Sequence, residues 1–228
     1  MQQLTLDVAL RDGASFETFH AGDHPLGPEA VQALARGEGE VQIYLYGEAG
    51  CGKTHLLEAA CHRAAADGGR IAYLPAGLVA RSGPDALEGW QTLDLIALDD
   101  LDLFPRDAEL ERALFDLINR LREGGVRLLL ASRAAPRALP LSLPDLRSRL
   151  LWGPVVQLQE LDDVHKPGVL MARARRRGFE LPREVCEYLL RHYRRDLPSL
   201  MQVVDRLDEA SLSAKRRITV PFVRRLLD

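Results

Sequence analysis

Short apolar runs alternate with longer amphipathic segments along the first two thirds of the chain. Two of the longer segments, the one that follows residue 54 and Asp107–Glu123, repeat apolar side chains every three or four residues, as helices do. Residues 77–89 combine glycines with Pro84, and we expect them to be irregular. Strands that alternate with helices at this spacing predict an α/β fold with a parallel sheet. The runs that predict strands are Val41–Tyr46, Arg70–Pro75, Leu93–Leu98, Val126–Ser132 and Val155–Leu158.

Only helical patterns follow residue 158. The first of these helices is expected to start near Lys166, because Pro167 removes a backbone hydrogen bond anywhere beyond the first turn. The sequence therefore predicts an α/β domain up to residue 158 and a small all-α domain over residues 159–228. The later helices are expected at Pro182–Tyr193, at Pro198–Ala214 and from Pro221 onwards.

Composition and charge add two constraints. The 228 residues are 46% hydrophobic and 28% charged, which excludes extended disorder. The net charge of −3 hides an uneven distribution, because residues 1–168 carry 16 basic and 25 acidic side chains whereas residues 169–228 carry 14 and 8. This asymmetry indicates either two modules with different partners or a set of solvated helix faces.

Three further features bear on the cellular compartment. The three cysteines are an odd number in a long chain, so no disulfide framework is expected. The N-terminal residues lack a basic segment followed by an apolar one, and no apolar run is long enough for a membrane span. We therefore expect a cytoplasmic protein with no membrane partner.

The strongest motif is Gly47–Thr54, which reads G-E-A-G-C-G-K-T and matches the phosphate-binding P-loop pattern. In such a loop the backbone amides converge on phosphate oxygens, Lys53 neutralises the β- and γ-phosphates, and the Thr54 hydroxyl ligates Mg²⁺. A strand is predicted before the motif and a helix after it, as this chemistry requires. The alternative is a Gly-rich turn that binds nothing. The expected nucleotide contacts are Gly47, Gly50, Cys51, Gly52, Lys53, Thr54 and His55.

Two adjacent carboxylates, Asp99 and Asp100, follow the third predicted strand. A carboxylate at the C-terminal end of a buried strand can hold the Mg²⁺ shell and orient a water molecule. We therefore predict Asp99 as a Mg²⁺ residue beside Thr54, and Asp100 as the group that polarises water. Acidic residues also cap helices, which is the alternative role.

Six stretches carry a resemblance to a known family that covers nearly the whole chain. The stretches are Gly47–Leu57, Leu95–Asp102, Phe115–Gly125, Leu143–Gly153, Arg175–Pro182 and Ile218–Val223. The most specific parts are the S-R-x-x-W-G box and the segment R-G-F-E-L-P. In these stretches the sequence resembles the AAA+ clade of the bacterial initiator DnaA, and within it the shorter Hda type of DnaA regulator. The resemblance implies an AAA+ P-loop domain over residues 16–158, followed by an all-α lid.

The arginine of the S-R-x-x-W-G box, here Arg149, acts in that family as an arginine finger on the nucleotide of a neighbouring molecule. Arg147 is the second candidate, and a plain surface arginine is the alternative. Two positions depart from the family. Where relatives carry a polar or acidic sensor after the fourth strand, this chain has Ala131-Ser132-Arg133, which leaves Ser132 as the one candidate for positioning water. A further sensor arginine of the family is replaced by Pro198, which has no N–H and no side-chain donor.

These departures imply weak or no ATP turnover by the chain itself, although Arg194 or Arg195 could substitute for the missing sensor. ADP and ATP both remain open as the bound nucleotide, with Mg²⁺ as its metal ion. Phe19 precedes the first helix where relatives lay the chain along the adenine; it fits a core aromatic equally well.

The first residues resemble the peptide with which Hda proteins bind the DNA polymerase sliding clamp. We expect residues 1–15 to be a flexible segment that contacts the clamp, and the alternatives are a disordered terminus or an edge strand. The residues expected to bind are Gln3, Leu4, Leu6 and Val8.

The resemblance implies a regulator of chromosomal replication initiation that couples the clamp to DnaA and stimulates hydrolysis of DnaA-bound ATP, which inhibits re-initiation. The alternative is a self-sufficient AAA+ ATPase, such as a helicase loader or an initiator-like factor; a scaffold that binds no nucleotide is a third reading. The cluster Arg173–Arg177 has no recognition motif beside it, and the sequence stops where DnaA continues into its DNA-binding domain. We therefore expect DNA contact only through the clamp, and a homo-oligomer stays open.

Overall fold

The computed structural model describes residues 10, 13–22, 25–214 and 217–227. The chain divides into two compact units, Met1–Gln159 and Glu160–Asp228. The first unit holds an α/β arrangement and the second holds helices.

A parallel sheet forms the centre of the first unit. Within the described part of the chain it has five strands in the order β2-β3-β4-β1-β5, and every neighbouring pair is parallel. The five predicted strands are confirmed, with ends shifted by two residues or fewer. The strands are β1 (Gln42–Tyr46), β2 (Ile71–Pro75), β3 (Leu95–Asp99), β4 (Arg127–Ser132) and β5 (Val155–Gln157).

Helices cover both faces of this sheet, because alternate strand residues face opposite sides and both sides are apolar. Ile43 and Leu45 belong to the core that the first two helices close, whereas Tyr44 belongs to the core closed by the next three. All three are fully buried. The helices are α1 (Leu26–Ala35), α2 (Lys53–Ala66), α3 (Ala76–Ser82), α4 (Ala108–Glu123) and α5 (Pro144–Leu150).

The prediction that residues 77–89 are irregular is wrong for the part that forms α3. Ala76 and Val79 of this helix are each 1% exposed, and they pack into the core beside α4 and the sheet. Burial of this short apolar face outweighs the low helix propensity of Gly77. The helix ends at Gly83, which has a positive φ of 73°.

The second unit is a helical domain with an apolar core of its own. Its first helix begins at Lys166, as Pro167 requires, and Pro167 lies in the first turn. In the described part of the chain, none of the helices is long and apolar enough to cross a membrane. The helices of this unit are α6 (Lys166–Arg176), α7 (Arg183–His192), α8 (Leu197–Ala214) and α9 (Val220–Leu227).

The basic cluster of this unit is partly neutralised by α8. Arg173 forms a bidentate ion pair with Asp205: its Nε lies 3.0 Å from Oδ1 and its Nη2 lies 2.8 Å from Oδ2. Arg177 lies 2.6 Å from Asp208 and 3.3 Å from Asp205. Since these two arginines are turned towards acidic partners within the same unit, the cluster offers less positive charge to a polyanion than its sequence indicates.

The junction between α5 and β5 comes unusually close to β1. A Cβ atom on Gly153 would lie 1.9 Å from the backbone oxygen of Gln42, so a side chain there requires a backbone shift. The side-chain amide of Gln42 donates hydrogen bonds to the backbone oxygens of Arg149 and Leu150, at 2.9 and 3.4 Å. Gly153 and Gln42 therefore hold the C-terminal end of α5 against the first strand.

We predict that Gly153→Ala lowers the free energy of unfolding by about 1–3 kcal/mol, the usual effect of overpacking a tight site. Urea denaturation of the purified chain measures it. Gly77→Ala is the matched control, because a Cβ there would meet nothing within 4 Å among the described residues. The control should leave stability unchanged or raise it slightly. Equal stability of the two variants would contradict the close approach.

Candidate functional site

The predicted phosphate loop, Gly47–Thr54, connects the C-terminal end of β1 to the start of α2. Its last turn depends on Gly52, which caps the helix with a φ of 97° that other residues rarely adopt. The first amides of a helix have no partner within the helix, so this N-terminus presents N–H groups suited to an anion. The other predicted contacts, Gly50 and Cys51, lie within the same loop.

The ammonium of Lys53 lies inside this loop. Lys53 is 6% exposed, and its Nζ donates to the backbone oxygens of Gly47 and Glu48 at 2.6 and 2.9 Å. The Sγ atom of Cys51 is 3.6 Å from the same nitrogen. The loop thus keeps a buried positive charge among neutral dipoles, an arrangement that an incoming phosphate would complement.

A network around the Asp99 carboxylate connects the loop to the sheet. Asp99 is 1% exposed at the end of β3. Its Oδ2 accepts hydrogen bonds from the hydroxyls of Thr54 at 2.6 Å and Tyr73 at 2.8 Å, and its Oδ1 accepts one from the Asp100 N–H at 2.8 Å. Because Thr54 donates its only proton to Asp99, its oxygen lone pairs are left to face a cation.

Thr54 and Asp99 fit the Mg²⁺ role predicted for them. Magnesium in phosphate sites is held by one or two protein oxygens together with phosphate and water, and this pair supplies a hydroxyl and a carboxylate. Among the described residues, no group of three histidine, cysteine or acidic side chains could hold a metal ion. The structure brings the pair together as the sequence predicts.

Tyr73 is the member of this network that the sequence reasoning missed. It lies on β2 and is paired with Ala97 of β3. Ala97 comes two residues before Asp99 on that strand. Burial, and then the charge of Asp99, raises the pKa of Tyr73 above its ordinary value, so the hydroxyl stays protonated as a donor. The available signal was a single phenol within the apolar run Ile71–Pro75.

Asp100 lies beside the network in a strained conformation. In the described part of the chain it is the one non-glycine residue with a positive φ, at 53°. Partial burial, and then the charges of Asp99 and Asp102, raises the pKa of Asp100 above its ordinary value. A carboxylate of raised basicity is suited to orienting water, which is the role predicted for it.

Ser132, the predicted water-positioning residue, is fully buried at the end of β4. Its register partner is Tyr46, which directly precedes the phosphate loop. Its hydroxyl donates to Oδ1 of Asp102 at 3.1 Å, and the Arg133 N–H donates to the same oxygen at 2.8 Å. The serine proton is therefore engaged by Asp102, a residue that sequence reasoning did not identify.

The N-terminal turn Phe16–Thr18 lies against the phosphate loop and α2. A Cβ on Gly52 would lie 2.5 Å from the Phe19 ring, and that ring is 5.6 Å from the ring of His55. The Nε2 atom of His55 is 2.8 Å from the backbone oxygen of Ser15. Phe19 and His55 are thus brought to the loop, whereas their contact with a nucleotide stays a prediction.

The predicted clamp-binding residues lie outside the described residues. They are Gln3, Leu4, Leu6 and Val8.

Arg149, the predicted arginine finger, lies near the C-terminal end of α5. Its Nε donates to the side-chain oxygen of Asn119 at 2.7 Å. Its guanidinium carbon is 4.1 Å from the ring centroid of Trp152 and 5.0 Å from that of Phe115. Stacking between two aromatic rings and one directional hydrogen bond define the orientation of this side chain.

The backbone of Arg149 and the phosphate loop lie at opposite ends of strand β1. The backbone of Arg149 is bonded to Gln42, the first residue of β1, whereas the loop follows Tyr46, the last residue of β1. Such a strand spans roughly 13 Å. Arg147, the second candidate, instead donates to the backbone oxygens of Leu139 and Leu141, both at 3.2 Å.

Pro198 occupies the first turn of α8, where its missing N–H costs nothing. Asp196 caps this helix by accepting a hydrogen bond from the Ser199 N–H at 2.9 Å. The possible substitutes for the missing sensor are engaged within the helical unit, since Arg194 is 3.2 Å from Asp196 and Arg195 is 3.2 Å from Asp163.

Comparison with known protein families shows to which family the chain belongs. The model of the bacterial DnaA ATPase domain matches residues 10–157, and the model of the Hda lid domain matches residues 163–227. The chain therefore belongs to the family of the bacterial DnaA ATPase domain, and it is an Hda-like AAA+ protein of the DnaA clade. The resemblance drawn from the sequence is confirmed, as is the α/β fold with a helical lid.

Solved structures agree with this assignment. Domain III of DnaA from Thermotoga maritima is 21% identical with a TM-score of 0.85, over 96% of this chain and 97% of that chain. AMPPCP-bound DnaA from Aquifex aeolicus is 25% identical with a TM-score of 0.73, over 89% and 67%. A RuvB mutant from Thermotoga maritima is 17% identical with a TM-score of 0.72, over 94% and 71%. The first and third likenesses show the fold alone.

Proposed function

We propose that this protein is a nucleotide-binding regulator of chromosomal replication initiation. In the proposal it couples the DNA polymerase sliding clamp to DnaA, and it stimulates hydrolysis of DnaA-bound ATP by supplying Arg149 in trans. Hydrolysis then inactivates the initiator and inhibits re-initiation. Membership of the DnaA family together with an Hda lid supports this role and supports DnaA as the partner.

The observation that carries the proposal is the position of Arg149. An arginine anchored at the other end of β1 from the phosphate loop of its own chain is unsuited to the chain's own nucleotide. Asn119 and Trp152 hold it in one orientation, so less conformational entropy is lost when it meets a partner. In that partner it would spread the charge that develops on the γ-phosphate.

The chain's own nucleotide is ADP or ATP, and the ligand of the related AMPPCP-bound DnaA supports an adenine nucleotide. Lys53 would neutralise its phosphates, while Thr54 and Asp99 would hold Mg²⁺. The bound Mg²⁺ supplies charge neutralisation at the phosphates. Weak turnover by the chain itself is supported by Ser132, whose hydroxyl is engaged with Asp102. Asp100 would orient water for what hydrolysis remains.

The clamp contact rests on the sequence pattern of the first eight residues. An extended peptide of this type binds by inserting alternate apolar side chains into pockets. In this arrangement the clamp brings the protein to DNA, and the protein does not read DNA itself.

Lys53→Ala is expected to weaken ADP and ATP binding by at least about tenfold, because a charge-assisted contact to phosphate is lost. Calorimetric titration measures the affinity, and Arg63→Ala on the exposed side of α2 is the matched loss of a cation. Turnover by the wild type should be slow. Vigorous hydrolysis abolished by Lys53→Ala would instead support a self-sufficient ATPase, and no binding by the wild type would support a scaffold.

Arg149→Ala is expected to lower the stimulated rate of DnaA-bound ATP hydrolysis by about a thousandfold or to the unstimulated rate, as loss of a finger in trans does. The assay mixes ATP-bound DnaA, clamp loaded on DNA and this protein, and it follows phosphate release. Arg137→Ala, which removes an exposed arginine of the same unit, should keep full stimulation. ADP affinity of the Arg149 variant should equal that of the wild type. Undiminished DnaA hydrolysis with Arg149→Ala would refute the mechanism.

Replacement of Leu4 and Leu6 by alanine is expected to abolish binding to the clamp, because two of the three expected apolar anchors of the peptide are lost. Surface plasmon resonance on immobilised clamp measures it. Replacement of Thr5 and Asp7 by alanine is the matched control, since these alternate residues are not expected to enter pockets. Retained clamp binding by the leucine variant would show that the clamp contact lies elsewhere or does not exist.

A further inference from the structure

Tyr73 has a polar contact that the proposed chemistry does not yet use. It lies on β2, the strand next to β3, and its hydroxyl donates to Oδ2 of Asp99 at 2.8 Å. The same oxygen accepts the Thr54 hydroxyl at 2.6 Å. One carboxylate oxygen of Asp99 thus accepts hydrogen bonds both from the phenol on β2 and from the Thr54 hydroxyl in the first turn of α2.

The register of the sheet explains how Tyr73 reaches Asp99. Tyr73 is paired with Ala97, and Asp99 follows two residues later on the same face of β3. A diagonal neighbour in a sheet lies about 7–8 Å away, which a tyrosine side chain can span. The ring packs on the core beside α2, so it approaches the carboxylate from the side of the phosphate loop.

The second carboxylate oxygen is held by the backbone of Asp100, at 2.8 Å. Tyr73 and this N–H therefore restrain both ends of the Asp99 carboxylate, and neither belongs to α2. If α2 and the loop shift when phosphate enters, the Thr54 contact shifts with them, whereas the contacts from Tyr73 and from the Asp100 N–H do not depend on α2. Among the described residues, Tyr73 is the side chain outside α2 that donates to the Asp99 carboxylate.

We infer that Tyr73 is a positioning residue for the Mg²⁺ site: its hydroxyl holds the Asp99 carboxylate in the orientation that meets the hydrated ion, and so sets the magnesium dependence of nucleotide binding. Groups that orient a metal-binding carboxylate from behind commonly change metal affinity by about 10–100-fold when they are removed. The inference rests on the proposed nucleotide binding.

The test compares ADP affinity of the full chain at saturating Mg²⁺ with ADP affinity in excess EDTA, by calorimetric titration. For Tyr73→Phe the ring stays and the hydroxyl is lost. We expect the gain in affinity from Mg²⁺ to fall by about tenfold, the lower end of that range, with affinity in EDTA unchanged. A Mg²⁺ titration at fixed ADP should shift its midpoint by the same factor.

Tyr46→Phe is the matched control. Tyr46 is also a strand tyrosine of this sheet, but it packs on the opposite face and its hydroxyl donates to the neutral Gln157 at 3.3 Å. Its variant should keep the wild-type dependence on Mg²⁺, and thermal melts of both variants check that they are folded.

The outcomes separate the inference from the proposed function. An unchanged gain from Mg²⁺ in Tyr73→Phe, or an equal loss of affinity with and without Mg²⁺, would overturn the positioning role while leaving nucleotide binding intact. Wild-type binding that ignores Mg²⁺ would overturn it as well. If the wild type binds no ADP under either condition, the proposed function fails first.

Discussion

The buried carboxylate of Asp99 is the constraint on which the predicted phosphate site depends. A carboxylate that is 1% exposed is costly to bury unless hydrogen bonds replace its water. Here the replacements come from Thr54 at the start of α2, from Tyr73 on β2 and from the next backbone N–H. Since these donors belong to different elements, the requirement fixes the phosphate loop, the second strand and the third strand relative to one another.

A second polar anchor lies at the opposite end of β1 from the phosphate loop. The side chain of Gln42 is 4% exposed, and it satisfies the last backbone oxygens of α5 beside Arg149. Gly153 allows the chain to pass against the Gln42 backbone, so the S-R-x-x-W-G box is explained in part by packing. At the other end of α5, the buried carboxylate of Glu111 accepts the N–H groups of Ser142 and Leu143, at 3.0 and 2.6 Å. A helix anchored at both ends is a rigid support for the guanidinium it carries.

Sequence reasoning succeeded where the information is local and failed where it depends on neighbouring strands. The strands, the phosphate loop and the start of α6 follow from short-range apolar patterns, glycine spacing and Pro167, and the structure confirms these elements. Tyr73, Asn119 and Asp102 were missed because each acts on a residue at least 26 positions away, through sheet register or helix packing. The α3 helix was missed because Gly77 within it, Gly83 directly after it and the nearby Pro84 outweigh, in a local pattern, the burial that stabilises it.

The polar contacts of the first unit favour a division of labour between two molecules over a self-sufficient active site. Hydrogen bonds already hold Lys53 in the loop and Asp99 beside Thr54, an arrangement that suits the phosphate and Mg²⁺ binding proposed for them. The Ser132 hydroxyl donates to Asp102, and the Arg149 backbone is bonded at the end of β1 away from the phosphate loop. Under the proposed function, a site that binds nucleotide without a free sensor and without an arginine finger from the same chain would retain its nucleotide as a structural ligand. The same nucleotide would stabilise the unit that carries Arg149, because a ligand that binds only the folded state shifts folding in its favour.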